Sequence, residues 1–434
     1  MKINPVWHPY TQMKTAPEPI WIERGEGAWL YPKSGERILD LISSWWVTVH
    51  GHGHPYIAQK IAEQAGKLEQ VIFAGFTHTP AQELAIQLLT LLPGPMASIF
   101  YSDNGSTAVE VGLKMALQYW NNSGSSKSKI LAFQSAYHGD TFGAMSVSAR
   151  SVFTSPFKGQ LFEVEFLPDP NPENLSKTLE RIQKLGREGQ TAAFIFEPLV
   201  MGAAGMICYE PSYLDSLIQQ CRQYEILTIA DEVMTGFGRT GTLFATEQIQ
   251  FPPDIICLSK GITGGFLPLG VTAATSKIYE AFVDEDRMKT FFHGHSYTAN
   301  PLACVAALAS LECFKQENTL QRIQEIEKLH EGFQRSIEGN SFVQQVRVKG
   351  SLLAITLQEG KEAPDYLSNW GPVIYSWFIQ RGFLMRPLGN VLYLLPPYCI
   401  TDAELELAYT AIVAFLEQLG TANPEPPLPG PVFG

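Results

Sequence analysis

Charge is scarce in this sequence: Asp, Glu, Lys and Arg make up 17% of the 434 residues, against about 25% in an average soluble protein. Positive charge is scarcer still. The 31 Lys and Arg against 43 Asp and Glu leave a net charge of −12, and no basic stripe runs along the chain, so the electrostatic footprint of a nucleic-acid or anionic-membrane binder is missing. Cysteine is sparse too. The 6 residues Cys208, Cys221, Cys257, Cys304, Cys313 and Cys399 stand at long, irregular spacings without a CxxC pair, which argues against a disulfide framework or zinc ribbon and points to a reducing compartment, the cytoplasm. Long apolar runs are lacking as well: the longest apolar-rich segment, Pro301 to Phe314, contains Ser310 and Glu312 and stops at Lys315, and Met1 to His8 show no signal-type apolar region, so no membrane span is expected. There is no internal repeat. Small-molecule chemistry is the function class left standing.

What is present is a core. Apolar residues reach 45% and aromatics 11%, and this length leaves room for about two to four domains. A surface thin in charge over a ring-rich interior fits a homo-oligomer that hides part of its surface. The first 54 residues read as a β-rich arm, with candidate strands Ala28–Tyr31 and Ile38–Leu41 around the Lys33-Ser34-Gly35 turn. From 55 to 320, strand-length apolar runs alternate with helix-length amphipathic stretches, which predicts an α/β domain on a mostly parallel sheet. Those runs are Ser98–Tyr101, Ile130–Gln134, Ala192–Phe196, Leu227–Ala230 and Ile255–Leu258. The next run, Leu269–Ala274, follows Lys260 after only eight residues, too few for a parallel crossover, so one antiparallel strand is expected. A long helix from Asn300-Pro301 past Cys313 leads into a smaller α+β domain over 321–420 with strands Leu352–Leu357 and Val391–Leu395. The proline-rich stretch 421–434 cannot form helix or sheet interior and reads as an extended surface tail.

In open α/β sheets, ligands gather outside the carboxyl ends of the strands. The residues there are Tyr137-His138-Gly139-Asp140, Glu197, Asp231-Glu232 and Lys260. A lysine and an aspartate on one rim meet two needs of pyridoxal phosphate: an amine to hold its aldehyde and a carboxylate to keep its ring nitrogen protonated. Taken singly, Asp231 reads as a cap and Lys260 as a solvated loop residue; the pairing favours the site. Ser102-Asp103-Asn104-Gly105-Ser106-Thr107, between a strand and the helical pattern Ala108–Trp120, offers the close backbone approach and helix N-terminus that a phosphate needs. Two other motifs read as structural. Gly236-Phe237-Gly238-Arg239-Thr240-Gly241 spells GxGxxG, but Pro252-Pro253 leaves little room for the helix a dinucleotide site requires. His50, His52 and His54 alternate without a partner set at metal-ligand spacing, so no metal is expected.

These residues carry a family resemblance. Leu227 to Gly241, including Asp231-Glu232-Val233 and the glycine loop, together with Leu258-Ser259-Lys260-Gly261, resembles the class III, fold-type I pyridoxal-phosphate aminotransferases from Trp7 to about Phe415. Finer motifs, Trp7-His8-Pro9-Tyr10-Thr11-Gln12-Met13, Ser43-Ser44-Trp45-Trp46, Tyr137-His138-Gly139-Asp140, Arg386-Pro387 and Leu395-Pro396-Pro397-Tyr398, resemble the branch that aminates 8-amino-7-oxononanoate in biotin synthesis. The resemblance implies S-adenosylmethionine as amino donor, with lysine the alternative. It implies that Lys260 carries the cofactor, that Asp231 pairs with its ring nitrogen, that Tyr137 and Val233 flank the ring and that Gly105 and Ser106 hold the phosphate. It implies a homodimer with active sites at the interface, where Ser296 of the segment His293–Tyr297 reaches the neighbour's phosphate. It places Tyr10, Trp45, Trp46, Tyr137, Arg239, Gly294, Arg386 and Tyr398 around the substrate, with Arg386 suited to its carboxylate. Glu197, Asp140 and Arg239 are candidates for supporting roles. The nearest rival is a class III aminotransferase for an ω-amine; a non-catalytic scaffold and a dehydrogenase are weaker readings.

Overall fold

The computed structural model describes residues 5–358 and 370–421; residues 422–434, nearly all of the expected tail, lie outside them. The chain divides into two units, Pro55–Ile323 and Met1–His54 together with Gln324–Gly434.

In the Pro55–Ile323 unit a seven-stranded sheet runs in the order Met96–Ser102, Gly270–Thr275, Ile255–Leu258, Leu227–Asp231, Thr191–Phe196, Lys129–Phe133 and Val164–Leu167. The central strands Thr191–Phe196 and Leu227–Asp231 are buried at every position, as expected of parallel strands covered on both faces. Gly270–Thr275 is antiparallel to both of its neighbours and the other pairings are parallel. This is the reversed strand that the short connection after Lys260 requires. The edge strand Val164–Leu167 was not among the expected runs. It is short and half-buried, and its Glu165 turns outward to an ion pair with Arg181 at 2.6 Å, so it lacks the apolar run that marks the inner strands.

The helix Gly105–Asn122 lies on this sheet, burying Val109, Gly112 and Ala116. It sits so close that a Cβ on Gly112 would lie 3.0 Å from Cys257 Sγ. Thr272 Oγ1 donates to the Ala108 carbonyl at 2.8 Å, so a sheet side chain pins the first turn of the helix. The helix expected from Asn300-Pro301 past Cys313 is Pro301–Gln316, and a second helix, Thr319–Ser336, follows it. Asn318 separates them at φ 50°, a left-handed conformation that asparagine tolerates better than most residues.

The other unit joins the two ends of the chain. Ile22–Glu26, Trp29–Pro32 and Ile38–Asp40 form antiparallel pairs, and Phe383–Leu384 adds in parallel beside Ile38–Asp40. A second sheet pairs Val343–Lys349, Leu352–Leu357 and Val391–Leu394. Leu39, Ile355, Leu394, Phe378, Ile412 and Phe415 meet in one core, each burial contributing about 1.5–3 kcal/mol. Trp45 and Trp46 do not lie in a strand. Ser43, Ser44 and Trp46 have φ of 50°, 61° and 69°, so the chain turns sharply and strand alternation does not decide where the two rings point.

Candidate active site

The parallel strands of the Pro55–Ile323 unit bring their carboxyl ends to one rim, and the register fixes which residues meet there. Asp231 ends its strand paired with Cys257, three residues before Lys260. Gly270 opens the reversed strand opposite Ser102, which brings the Asn104-Gly105-Ser106 turn to the same rim. Lys260 itself has φ 46°, a left-handed conformation that is strained for a side-chain-bearing residue and concentrates at functional sites.

Around Lys260 the charges are buried and coupled. Burial lowers its ammonium to about pKa 8; the charges of Asp231 and Glu197 oppose that shift and Arg239 reinforces it. Asp231 is buried, and its carboxylate is held from two sides: Oδ1 accepts the Val233 N–H at 3.0 Å, and Oδ2 lies 2.7 Å from His138 Nδ1. With its proton on Nδ1, the His138 imidazole donates to the carboxylate. Glu197 Oε1 accepts the Tyr137 N–H at 3.1 Å and Oε2 accepts the Gly202 N–H at 2.9 Å. Burial pushes its carboxyl up to about 7; the Asp231 charge adds to the shift, while His138 and the two N–H groups oppose it.

The start of the Gly105–Asn122 helix forms a cradle. Asn104 and Thr107 make a reciprocal capping box, which takes the Thr107 N–H and leaves those of Gly105 and Ser106 at the positive end of the helix dipole. A Cβ on Gly105 would lie 2.6 Å from Val233 Cγ1, so glycine is what lets Val233 close over this turn. Ser106 Oγ accepts the Asp140 N–H at 3.1 Å, and Gly139, at φ 134°, leaves no room for a Cβ against Ser106. A buried low-pKa lysine, an oriented buried carboxylate and a helix start open to an anion fit the aldehyde, ring nitrogen and phosphate of pyridoxal phosphate.

The unit thus gathers Lys260, Asp231, Val233, Tyr137, Gly105, Ser106 and Arg239. Gly294 and Ser296 lie on an exposed segment without regular structure; Gln70 Nε2 holds the Ser296 carbonyl at 2.7 Å. In the other unit the Arg386 guanidinium stands 4.4 Å from the Trp45 ring centroid, and Tyr10 meets Trp45 edge-on at 5.4 Å. Trp45 is 38% exposed but Trp46 only 5%; Trp46 Nε1 donates to the Tyr393 hydroxyl at 3.0 Å, which places its ring in the core. Tyr398 is also buried, with its N–H on the Val49 carbonyl at 2.8 Å. The glycine loop 236–241 stays a run of turns, and buried Glu232 accepts from Thr246 and Ala245 to hold it. His52 pairs with Asp40 at 2.8 Å.

The residue that sequence reasoning left without a role is His138. Its signal was its place beside Tyr137 at the end of a strand adjoining the one that Glu197 follows, but only the fold shows that its ring turns to Asp231.

Comparison with known proteins decides the family. The model of the family Aminotransferase class-III matches residues 10–416. The chain belongs to the class III aminotransferases. Among curated class III relatives, the adenosylmethionine-8-amino-7-oxononanoate aminotransferase of Synechococcus elongatus is 48% identical, covering 95% of this chain and 99% of that one. The enzyme of the same name from Geobacter sulfurreducens is 41% identical, covering 92% and 93%. Among solved structures, the adenosylmethionine-8-amino-7-oxononanoate aminotransferase of Methanocaldococcus jannaschii superposes with a TM-score of 0.91 at 37% identity, covering 96% and 97%. An amine transaminase from an uncultivated Pseudomonas species in its PLP-bound form gives 0.89 at 32%, covering 96% and 99%. The class III chain is therefore a fold-type I pyridoxal-phosphate enzyme, with the mostly parallel sheet and single reversed strand expected of it.

Proposed function

We propose that this chain transfers an amino group to the ketone of 8-amino-7-oxononanoate, giving 7,8-diaminononanoate for biotin synthesis, with S-adenosylmethionine as amino donor. The observation that carries the chemistry is the buried Lys260 beside the Asp231–His138 pair at the strand rim. The names of relatives up to 48% identical over nearly the whole chain support the substrates.

Pyridoxal phosphate, when bound, supplies a protonated pyridine ring that takes up the electrons left when a substrate carbon loses its proton. Lys260 would hold the aldehyde through its neutral amine, and as a free amine it would take and return the proton of the donor's α-carbon. Asp231 keeps the proton on the ring nitrogen, and His138 orients that carboxylate. Tyr137 and Val233 would lie against the ring, and the N–H groups of Gly105 and Ser106 would hold the phosphate. Arg386 receives the carboxylate of the oxononanoate, with Tyr10, Trp45 and Tyr398 along its chain; Arg239 and Gly294 complete the substrate set. Trp46 is assigned to packing.

We further infer a cytoplasmic homodimer with active sites at its interface. Phe292 and Tyr297, 69% and 66% exposed, flank Ser296, and Ile72 and Phe76 are exposed on the loop that Gln70 ties to the Ser296 carbonyl. Apolar exposure on that scale marks an interaction surface, and in the dimer Ser296 reaches the neighbour's phosphate. The cysteines are all free thiols, which suits a reducing compartment. No helix among the described residues is long and apolar enough to cross a membrane.

The test is product formation. Purified protein given pyridoxal phosphate, S-adenosylmethionine and 8-amino-7-oxononanoate yields 7,8-diaminononanoate by mass spectrometry; product only with ornithine or 4-aminobutyrate as donor, or none from the oxononanoate, overturns the substrate assignment.

A further inference from the structure

Glu197 is a buried carboxyl at the strand rim to which the mechanism gives no task. It follows the fully buried strand Thr191–Phe196 and is itself buried. A buried carboxylate is costly unless its oxygens are satisfied, and here both are. They accept the N–H of Tyr137 at 3.1 Å and that of Gly202 at 2.9 Å. Its main chain is tied as well, since the Tyr209 hydroxyl donates to the Glu197 carbonyl. The side chain therefore holds two loops at once: the one after Lys129–Phe133, which carries Tyr137 and His138, and the one that begins at Pro198.

The second feature is its electrostatic company. The groups that act on it are Asp231, which repels its charge, and His138, which stabilises it; Tyr209 feels its charge in turn. Lys260 is acted on by Asp231, Glu197 and Arg239. The charges of two carboxyls thus act on one lysine, and only Asp231 is needed at the ring nitrogen.

We propose that Glu197 is a positioning residue that, by accepting the Tyr137 and Gly202 N–H groups together, fixes the Tyr137 main chain where the cofactor ring would lie, and that its negative charge at the rim favours the Lys260 ammonium. This rests on the function proposed above. A purely structural glutamate could be replaced by its isostere glutamine wherever one hydrogen bond suffices. Here glutamine fails twice: its amide NH2 would face an N–H donor, and it carries no charge.

The experiment uses full-length protein, stripped of cofactor and then mixed with pyridoxal phosphate over a range of pH. Capture is addition of the neutral lysine amine to the aldehyde with loss of water, so its rate rises as Lys260 loses its proton, at about pH 8. In Glu197→Gln the removed negative charge no longer favours the ammonium, so the midpoint falls by roughly half a pH unit or more. Its kcat falls about tenfold or more with the KM for the amino donor changed far less, the pattern of a group that acts on the reacting centre rather than on substrate binding. Glu197→Asp keeps the charge, holds the midpoint within about 0.3 unit of wild type and still loses kcat because its shorter arm cannot reach both N–H groups. That second variant decides the matter even if the first does not fold. An unmoved midpoint in Glu197→Gln, or a wild-type kcat in Glu197→Asp, overturns the inference while the function stands. A wild-type chain that captures no pyridoxal phosphate overturns both.

Discussion

In the proposed function Lys260 and Asp231 divide one task between a covalent anchor and an electrostatic one, and their variants should fail differently. Lys260→Ala is expected to fold and to show no measurable turnover, since among the described residues no other buried amine stands at the rim; retained turnover would refute its role. Asp231→Asn keeps shape but loses charge, and His138 then faces an amide. It should still bind pyridoxal phosphate while kcat drops by roughly a hundredfold or more, the scale expected when a general acid–base or ion-pairing group is lost. Equilibrium dialysis with a steady-state assay separates binding from rate. Gly105→Ala tests the cradle: its new methyl would lie 2.6 Å from Val233 Cγ1, so the turn must open and the cofactor dissociation constant should rise about tenfold or more. A wild-type dissociation constant would show that the turn does not hold the phosphate. At this scale the sequence was most legible where residue type and strand end coincide, as for Lys260 and Asp231. It was least legible for His138, because a histidine beside a tyrosine carries no mark of which carboxylate its ring will meet.

Elements were legible in proportion to their burial. The inner strands announce themselves as apolar runs because both faces are covered, and the reversed strand follows from arithmetic on its connection. The edge strand Val164–Leu167 and the break at Asn318 escaped because each depends on a local exception, an outward Glu165 and a left-handed Asn318. One element-level feature has a measurable pH signature. His330 is buried on the Thr319–Ser336 helix, with Nδ1 2.7 Å from the Tyr409 hydroxyl of the Asp402–Thr421 helix and Nε2 3.2 Å from the Ser351 carbonyl. Burial lowers its pKa from 6.5 to about 4. Below pH 6.5 the unfolded chain takes up a proton that the folded chain refuses, so stability falls as pH drops from 6.5 to about 4 and this contribution is flat above. The loss is on the order of 3 kcal/mol across that window. Thermal unfolding of His330→Gln should show a shallower fall over pH 6.5 to 4 than wild type; equal slopes would contradict the assignment.

For the whole molecule, the scarcity of charge and abundance of rings pointed to a hidden surface, and the proposed dimer puts that surface at the exposed Phe292 and Tyr297. Phe292→Asp with Tyr297→Asp should shift the chain from dimer to monomer in sedimentation and weaken cofactor binding; a dimer that persists with full affinity would move the interface elsewhere. The proposed substrate residues rest on resemblance alone, because aromatic pairs look alike in sequence whether they pack or bind. Trp45 and Trp46 are adjacent, yet Trp45 stands against Arg386 while Trp46 bonds the Tyr393 hydroxyl. The most direct test of the central claim is spectroscopic. S-adenosylmethionine alone, added to the protein loaded with pyridoxal phosphate, should convert the bound cofactor to its pyridoxamine form, and 8-amino-7-oxononanoate added next should restore the starting spectrum. A spectrum unmoved by S-adenosylmethionine but converted by ornithine or 4-aminobutyrate, or one that the oxononanoate never restores, would contradict it.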